Sequence, residues 1–414
     1  MDPKVLRQKR EHAVRLLKQM VAIPSSNPFV SDKDEKKIAE FLKKEVERVG
    51  FQVDLQKVTS RSAYYTFAPA KGRRSCTRPN VIARTGRKGG TRLILNGHID
   101  TVSGEIMKGA FEPRVVGDRL YGRGSADMKG GIAAMIAASE AILESRAPLT
   151  GELVLSLVVG EETDGAGTRE FLKHERGDFA IVAEPTENTM AIAQGGYIDF
   201  SIYCKGESTH GLTTIPDHWA SAFVQATNLC NRILEDRRIM AKRKYHGTEM
   251  NSTFNFSPTD YSPPPSYSMM TMPEYRTHCQ LGLVPNTKVA KSMRSAHSAV
   301  NRIKEHVAEG NRLGMRARYE QVDSKVGFIQ GENVYTRAFQ RAMDKVLGHH
   351  RESYEISFCD ASYFYYKHIP VILFGPGNIE NAHGSNEYVN TKEVRDATNV
   401  FFYAIQNILT EPSN

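Results

Sequence analysis

Apolar positions at the start of the chain recur at helical spacing. Between residues 5 and 22 they predict a surface helix, which a Pro-rich turn at 23–28 ends. A second amphipathic helix is predicted over 34–49, with Gly50 as its C-terminal cap. The chain therefore opens with two helices that each have one apolar face.

Short apolar runs then alternate with helical stretches. Strands are predicted at 51–55, 80–84, 93–98, 151–159, 178–183 and 369–374. A buried helix is predicted directly after Gly131, where Ala, Ile and Met residues follow one another. The run Leu93-Ile-Leu predicts a strand covered on both faces, as in parallel sheets. This alternation is typical of an α/β fold.

Polar side chains lie at the carboxyl ends of these predicted strands or in the adjoining loops. They are His98, Asp100, Asp127, Glu161, Glu162, Glu184 and His383. Open α/β sheets bind ligands in the crevice at the carboxyl ends of their strands, so these side chains could share one site. Taken singly, each has an ordinary explanation: a turn cap for His98 and Asp100, a helix start for Asp127, and solvated loop residues for the two adjacent glutamates.

The chemistry of these side chains fits a pair of metal sites. Imidazole nitrogen with carboxylate oxygen is a typical ligand set for zinc and similar divalent cations. Two adjacent glutamates after an apolar strand are costly unless positive charge is near. Since successive side chains of an extended chain point opposite ways, one of Glu161 and Glu162 could bind metal while the other addresses water. Asp100 could orient the imidazole of His98.

Composition describes an ordinary globular protein: 414 residues, 40% hydrophobic and 25% charged, enough for roughly two or three domains. Its formal charge of +8 could indicate a nucleic-acid partner, but the basic residues are scattered, so none is expected. The five widely spaced cysteines predict reduced thiols in a cytoplasmic protein. No apolar run reaches transmembrane length, so no membrane association is expected.

Five stretches of the chain resemble the co-catalytic metallopeptidase and amidohydrolase family that includes acetylornithine deacetylase, succinyl-diaminopimelate desuccinylase, aminoacylase and carboxypeptidase G. They are Gly-His98-Ile-Asp100-Thr-Val, Gly-Arg-Gly-Ser-Ala-Asp127-Met-Lys-Gly-Gly, Glu161-Glu162, Ala-Glu184-Pro-Thr, and Phe-Gly-Pro-Gly followed by Ala-His383-Gly-Ser-Asn-Glu-Tyr-Val. They occur in the family's order over nearly the whole chain. The resemblance is therefore specific for the family, although not for a substrate.

The resemblance implies a role for each of these residues. Two divalent metal ions are expected, zinc or else manganese or cobalt. Their ligands would be His98 and Glu184 at one ion, Glu162 and His383 at the other, and Asp127 bridging both. Asp100 would brace His98, and Glu161 would be the general base and acid.

The resemblance also implies the architecture, a metallopeptidase-like α/β catalytic domain with an inserted ferredoxin-like α+β lid that often makes the dimer contact. We assign residues 194–323 to the lid and residues 1–193 plus 324–414 to the catalytic domain, and we expect a homodimer through the lid. The proposed lid segment carries none of the implied metal ligands but has elements of its own. Strand patterns occur at 197–203, 279–284 and 315–321, and helix patterns at 220–237 and 289–309.

One lid segment, Gly206-Glu-Ser-Thr-His210-Gly, resembles the segment that holds the family's lid histidine. In the family that side chain reaches an active site, in dimeric members the partner's, and stabilises the developing oxyanion. The resemblance therefore implies a catalytic role for His210, whereas a lone loop histidine is ordinarily a surface residue.

Another lid stretch departs from the family pattern. Members that act on amino-acid derivatives usually carry an Arg late in the lid, which grips the substrate's carboxylate. Gly282 stands where this Arg is expected and Met270 near an expected Asn, while Arg276 could supply the charge from a shifted register. Because a glycine offers no side chain to an anion, we expect the substrate to differ from a simple N-acyl-α-amino acid, with an aromatic or heterocyclic part.

The predicted function is that of a two-metal hydrolase, which cleaves an amide-type C–N bond of a small nitrogen compound as a deacylase does. An exopeptidase for short peptides is the alternative among enzymes. A metal-binding protein without catalysis is the alternative of another class. The intact Glu161 argues against it, because such a protein needs no base beside the metal.

Overall fold

The computed structural model describes residues 3–26, 35–61, 75–207, 221–245, 248–258, 272–355 and 358–410. Its helices are α1 (Pro3–Val21), α2 (Lys36–Val49), α3 (Gly130–Glu144), α4 (Ala166–His174), α5 (Ala222–Glu235), α6 (Val289–Arg312), α7 (Val334–Leu347), α8 (Ala361–Tyr366) and α9 (Thr391–Leu409). The strands up to the middle of the chain are β1 (Gln52–Arg61), β2 (Ser75–Gly86), β3 (Arg92–His98), β4 (Arg114–Val116), β5 (Arg119–Tyr121), β6 (Glu152–Val158), β7 (Phe179–Val182), β8 (Met190–Gln194) and β9 (Gly196–Lys205). The later strands are β10 (Lys242–Tyr245), β11 (Thr248–Asn251), β12 (Thr253–Pro258), β13 (Glu274–Leu283), β14 (Ala317–Lys325), β15 (Phe328–Ile329), β16 (Glu352–Glu355), β17 (Val371–Leu373) and β18 (Tyr388–Asn390).

A nine-stranded mixed sheet forms the centre of the larger part of the molecule, in the order β1-β2-β6-β3-β7-β17-β8-β15 with β16 beside β8. β3 pairs in parallel with β6 on one side and with β7 on the other, and β17 continues in parallel next to β7. The residues of β3 from Leu93 to His98 are buried, so the predicted parallel strand is confirmed. The carboxyl ends of β6, β3, β7 and β17 consequently lie along one edge of the sheet.

The apolar helix α3 fixes what lies at that edge. Its residues from Gly130 to Ile142 are buried, and it packs against α1 and α9 as well as against β3. A Cβ on Gly131 would stand 2.2 Å from the carbonyl oxygen of Ala183, so only glycine lets the helix start this close to the end of β7. The loop before α3 is thereby brought against the residue that follows β7.

A separate four-stranded sheet has the order β12-β13-β9-β14, and every neighbouring pair in it is antiparallel. Two helices, α5 and α6, cover one of its faces and share an apolar core with it, distinct from the core of the large sheet. Along the chain these elements run strand, helix, two strands, helix, strand, which is the ferredoxin-like arrangement. The predicted fold class, α/β with a ferredoxin-like α+β unit, is confirmed.

The division of the chain at residues 193 and 323 stays a prediction. β9 and β14 are the first and last strands of the small sheet, and β14 continues to Lys325. The hairpin of β10 and β11, which lies between α5 and β12, was not predicted. None of the helices in the described ranges combines the length and apolarity that crossing a membrane requires.

Candidate metal centre

The residues predicted as metal ligands meet at the carboxyl edge of the large sheet. His98 is the last residue of β3, Glu162 lies in the segment after β6, and Glu184 lies in the segment after β7. Asp127 lies in the kinked segment Ser125–Lys129 before α3, and His383 lies in the loop before β18. The ends of three strands of the large sheet, the entry of one helix and the loop before β18 thus deliver one side chain each. The strand-end argument from the sequence explains this convergence.

Two groups of side chains are arranged as ligand sets. In the first, one ligand atom each from His98, Asp127 and Glu184 lie within 4.8 Å of one another. In the second, the same holds for Asp127, Glu162 and His383. Asp127 belongs to both groups, so its two carboxylate oxygens face two different sites.

Distances within the groups show how Asp127 is shared. Its Oδ1 lies 2.9 Å from Nε2 of His98, and its Oδ2 lies 3.2 Å from Nε2 of His383. The same His383 nitrogen is 3.0 Å from Oε2 of Glu162. Burial opposes the charge of Asp127, but the hydrogen bonds from the two histidines outweigh it and lower the pKa of this carboxyl below its ordinary value.

The electrostatics of the cluster indicate that its buried carboxylates require a positive charge to compensate them. Burial raises the pKa of Glu184 well above its ordinary value, and the nearby Asp127 raises it further. The same two causes raise the pKa of Glu162. Among the described residues, Oε1 of Glu184 is buried without a hydrogen-bond partner. Buried carboxylates in this state are satisfied by cations, and the two ligand groups fit one divalent cation each.

Asp100 braces the cluster from below with two different parts of the residue. Its main-chain carbonyl oxygen lies 3.0 Å from Nδ1 of His98 and can accept a hydrogen bond from it, which leaves Nε2 free to coordinate. Its side-chain oxygens accept hydrogen bonds from the main-chain N–H groups of Glu161 and Glu162, at 3.2 and 3.1 Å. One fully buried aspartate therefore orients a predicted ligand, His98, and the turn that carries the two glutamates.

Glu161, the predicted base, lines the same cavity as four of the predicted ligands, Asp127, Glu162, Glu184 and His383. Burial raises the pKa of its carboxyl to about 8, although the charge of Lys325 lowers it. A carboxyl with a pKa near neutrality can both accept and return a proton, which is the property that general acid–base catalysis requires.

Sequence reasoning assigned no role to Glu387 or Arg123, which support Asp127. Oε1 of Glu387 accepts hydrogen bonds from the main-chain N–H groups of Ala126 and Asp127, at 3.0 and 3.2 Å. Its Oε2 pairs with Nη1 of Arg123 at 2.7 Å, and both side chains are 1% exposed. The sequence signal was the Asn-Glu-Tyr run after His383. This run does not indicate that Glu387 pairs with Arg123, which is 264 residues away.

A cavity of about 520 Å³ opens beside the two ligand groups. The rings of Tyr197 and Phe358, with centroids 4.2 Å apart, form part of its lining, and Gln280 and Lys325 contribute from the small sheet. The cavity therefore lies between the large sheet's edge and the ferredoxin-like unit, and it offers aromatic, amide and cationic groups to a small molecule.

The lid positions singled out in the sequence are only partly described. His210 and Met270 lie outside the described residues. Gly282 lies in β13 between Thr253 and Tyr197 of the neighbouring strands, and a Cβ there would stand 2.3 Å from the Thr253 hydroxyl. Arg276, in the same strand, lies 3.3 Å from Glu320 and does not line the cavity.

The model of Peptidase family M20/M25/M40 matches residues 94–407, which is well over half of the chain. The chain belongs to this family. The resemblance found in the sequence motifs is therefore confirmed. Members of the M20 family are metal-dependent hydrolases that act on C–N bonds, so the predicted enzyme class and the predicted need for metal are confirmed with it.

Relatives within the M20 family differ in what they act on. A peptidase M20 domain-containing protein of Schizosaccharomyces pombe is 27% identical over 394 residues, covering 94% of this chain and 83% of its own length. An acetylornithine deacetylase of Photorhabdus laumondii is 26% identical over 384 residues, with coverages of 91% and 92%. An N-formyl-4-amino-5-aminomethyl-2-methylpyrimidine deformylase of Bacillus subtilis is 26% identical over 350 residues, with coverages of 78% and 81%.

Solved M20 structures have the same fold. The dipeptidase Dug1p of Saccharomyces cerevisiae has a TM-score of 0.76 at 14% identity, covering 99% of both chains. A dinuclear metal-binding M20 peptidase of Bacillus subtilis has a TM-score of 0.62 at 13% identity, covering 97% of this chain and 99% of its own. At these identities the likeness shows the fold alone.

Proposed function

We propose that this protein is a two-metal amidohydrolase that removes an acyl group from a small nitrogen compound. The observation that carries the proposal is the sharing of Asp127 between two three-residue ligand groups, with Glu161 beside them. His98 and Glu184 would complete one metal site, and Glu162 and His383 the other. Zinc is the proposed metal because imidazole and carboxylate together suit it, with manganese or cobalt as alternatives.

Two cations held there would acidify a water molecule and polarise the carbonyl of the scissile amide. Glu161 would accept the proton of the attacking water and return it to the leaving nitrogen, which its raised pKa suits. Asp100 would keep His98 and the Glu161–Glu162 turn in position throughout. His210 is proposed to stabilise the oxyanion, on the strength of its sequence motif.

The test of this proposal is a panel of N-acyl compounds assayed with zinc, manganese and cobalt, together with two matched variants. Glu161→Gln keeps the shape of the side chain and removes the proton acceptor. Turnover should therefore fall by roughly 10²–10⁴-fold while the metal content stays the same. Glu162→Gln should instead lose metal. If the two variants behave the other way round, the roles of the two glutamates are exchanged.

We propose that the substrate carries an aromatic or heterocyclic part. The adjacent aromatic rings of Tyr197 and Phe358 in the cavity support this, as does the absence of a side chain at Gly282. A relative named as a deformylase of an aminopyrimidine compound acts on such a heterocycle. Comparing kcat/KM for acetylornithine, succinyl-diaminopimelate and N-acyl aromatic compounds tests this, and a preference for either amino-acid derivative would contradict it.

A second candidate is an exopeptidase for short peptides, favoured by the fold shared with a dipeptidase. Dipeptides in the same assay separate the two, because a deacylase should leave them uncut. A third candidate, a metal-binding protein without catalysis, would bind two metals and turn over no amide on the panel.

We propose that the ferredoxin-like unit, residues 194–323, acts as a lid and forms a homodimer. Exposed apolar side chains on α5 (Phe223, Val224 and Leu234) and Phe256 on the edge strand β12 support an interface there. The wide spacing of the cysteines, which form no disulfide among the described residues, supports a cytoplasmic location. Sedimentation of the purified protein tests the dimer.

A further inference from the structure

One cation in the cavity is not used by the proposed mechanism. Lys325 is the last residue of β14, only 5% of the residue is exposed, and it lines the cavity beside the ligand groups. Its Nζ lies 5.0 Å from the ring centroid of Tyr363 and 5.7 Å from that of Tyr197. The two aromatic faces hold the ammonium in place without using its hydrogen-bond donors.

The ammonium of Lys325 has no acceptor of its own in the described part of the chain. No carboxylate oxygen there lies within the 4.0 Å of an ion pair, and no hydrogen bond to it is formed. Burial alone would lower the pKa of Lys325. The surrounding Tyr363, Glu161 and Asp360 outweigh burial and raise this pKa above its ordinary value. The side chain is therefore a cation that is mostly covered by protein but lines the cavity, where its three donors are available to an acceptor on a ligand.

The position of Lys325 can be compared with that of Gly282, where the family's arginine is expected. Gly282, Tyr197 and Lys325 are cross-strand neighbours in one row of the small sheet, with Tyr197 in the middle. At the usual spacing of strands, Lys325 stands roughly 10 Å from Gly282 along this row. Arg276 is six residues from Gly282 along β13, roughly 20 Å away, and lies next to Glu320. The cation that faces the cavity is thus Lys325.

We propose that Lys325 is a substrate-binding residue that receives a carboxylate group of the substrate inside this cavity. The inference rests on the proposed hydrolase function and narrows its substrate to N-acyl compounds that carry a carboxylate next to an aromatic part. A lysine ammonium is a point charge, whereas arginine grips a carboxylate with two parallel hydrogen bonds. The carboxylate would therefore be held at the position of Lys325, whereas relatives that use the arginine hold it from the position that Gly282 occupies here.

Equilibrium binding tests the proposal without requiring turnover. Phenylacetate and the neutral phenylacetamide are titrated calorimetrically into the full chain, once metal-loaded and once after chelation, so that coordination of the carboxylate to metal is separated out. In both states the wild type should bind phenylacetate about 10-fold or more tightly than phenylacetamide, as a buried charged hydrogen bond provides. After chelation, Lys325→Met should bind the two equally, and in the metal-loaded state it should retain only the preference that coordination to metal provides.

Two control variants keep the result interpretable. Lys325→Arg retains the charge and should keep most of the preference for the carboxylate. Arg276→Met removes a cation from the same sheet outside the cavity and should leave the preference unchanged. Unfolding curves of each variant establish that it is folded, and Lys325→Gln replaces Lys325→Met if the latter is not. An undiminished preference in the folded neutral variant, or no preference in the wild type, would overturn the proposal.

Kinetics separate substrate binding from an effect through Glu161. With 4-acetamidophenylacetate and its carboxamide as substrates, Lys325→Met should raise KM for the carboxylate about 10-fold and leave kcat within about twofold. A fall of kcat on both substrates with an altered pH profile would instead make Lys325 a positioning residue and refute the binding role. If the wild type cleaves no amide at all, the hydrolase proposal fails, while the calorimetric result still decides the role of Lys325.

Discussion

Replacing Glu387 by Gln tests how the shared carboxylate of the metal centre is held. Glu387 fixes the main chain at Ala126 and Asp127 through two N–H groups and neutralises the buried Arg123. The Gln side chain has nearly the same shape and can still accept hydrogen bonds through its one remaining oxygen. It cannot neutralise the guanidinium. The variant therefore isolates the contribution of the charge.

The structure sets the expected size of the effect. Removing one partner of a buried ion pair costs about 3–5 kcal/mol, because the other charge remains buried and unpaired. Arg123 keeps hydrogen bonds to the carbonyl oxygens of Ser103 and Gly384, at 3.2 and 3.1 Å, so the lower end, about 3 kcal/mol, is expected here. Because a neutral amide oxygen accepts the N–H groups of Ala126 and Asp127 more weakly than a carboxylate oxygen does, zinc affinity should also fall about 10–100-fold.

Urea unfolding of the chelated protein gives the first quantity, and calorimetric titration of zinc gives the second. The double variant Arg123→Met with Glu387→Gln should be less destabilised than the sum of the two single variants, since it leaves no unpaired charge. Glu152→Gln is the matched control. Its ion pair with Arg92 is also 2.7 Å long but is more exposed and lies at the start of β6, away from the metal centre, so zinc affinity should not change. The reasoning is refuted if Glu387→Gln unfolds within about 1 kcal/mol of the wild type and binds zinc equally well.

Three further variants test other parts of the structure. Hydrogen bonds with Glu140 and Glu45 raise the pKa of His12 from 6.5 to about 9, so the stability that its charge contributes is complete below pH 6.5 and disappears as the pH rises through 9. His12→Gln should accordingly lower the free energy of unfolding by about 2–3 kcal/mol at pH 6 and hardly at all at pH 10; a pH-independent loss would contradict this. Gly131→Ala forces α3 away from β7 and should cost about 1–3 kcal/mol in urea unfolding, with weaker zinc binding; an unchanged variant would contradict the close packing. His210→Ala should lower kcat with the metal content unchanged, and wild-type activity would make His210 a surface residue.

The sequence was sufficient to predict the central strands and the residues that meet at their ends. Leu93-Ile-Leu is apolar without alternation, which is typical of a strand covered on both faces. Polar residues are then expected only where the strand ends. His98 and Glu184 were found by this rule, since parallel neighbours end at the same edge. The helix C-cap at Gly50 was likewise readable, and its φ of 108° confirms it.

Some elements were not predicted. α9 is one of them, although it contributes much of the core around α3 and its apolar residues recur at helical spacing. The hairpin β10–β11 reads Lys-Arg-Lys-Tyr on its first strand, a pattern that is typical of exposed loops. Local sequence shows periodicity. Prediction from periodicity fails for elements that are buried by a distant part of the chain.

What the sequence alone determined about this protein is the chemistry available: which imidazoles and carboxylates follow apolar strands, and that Gly282 leaves no side chain to hold an anion. Only the tertiary structure decided their partners. It showed the distances at which Asp127, which the resemblance had already assigned to both ions, lies from each histidine. It also showed Glu387 and Arg123 paired across 264 residues, and Lys325 facing the cavity. The physical reason is the different distance along the chain over which the two kinds of information act. Strand periodicity acts over a few residues, whereas the energy of a buried charge depends on every group within several ångströms, and chain folding alone brings those groups together.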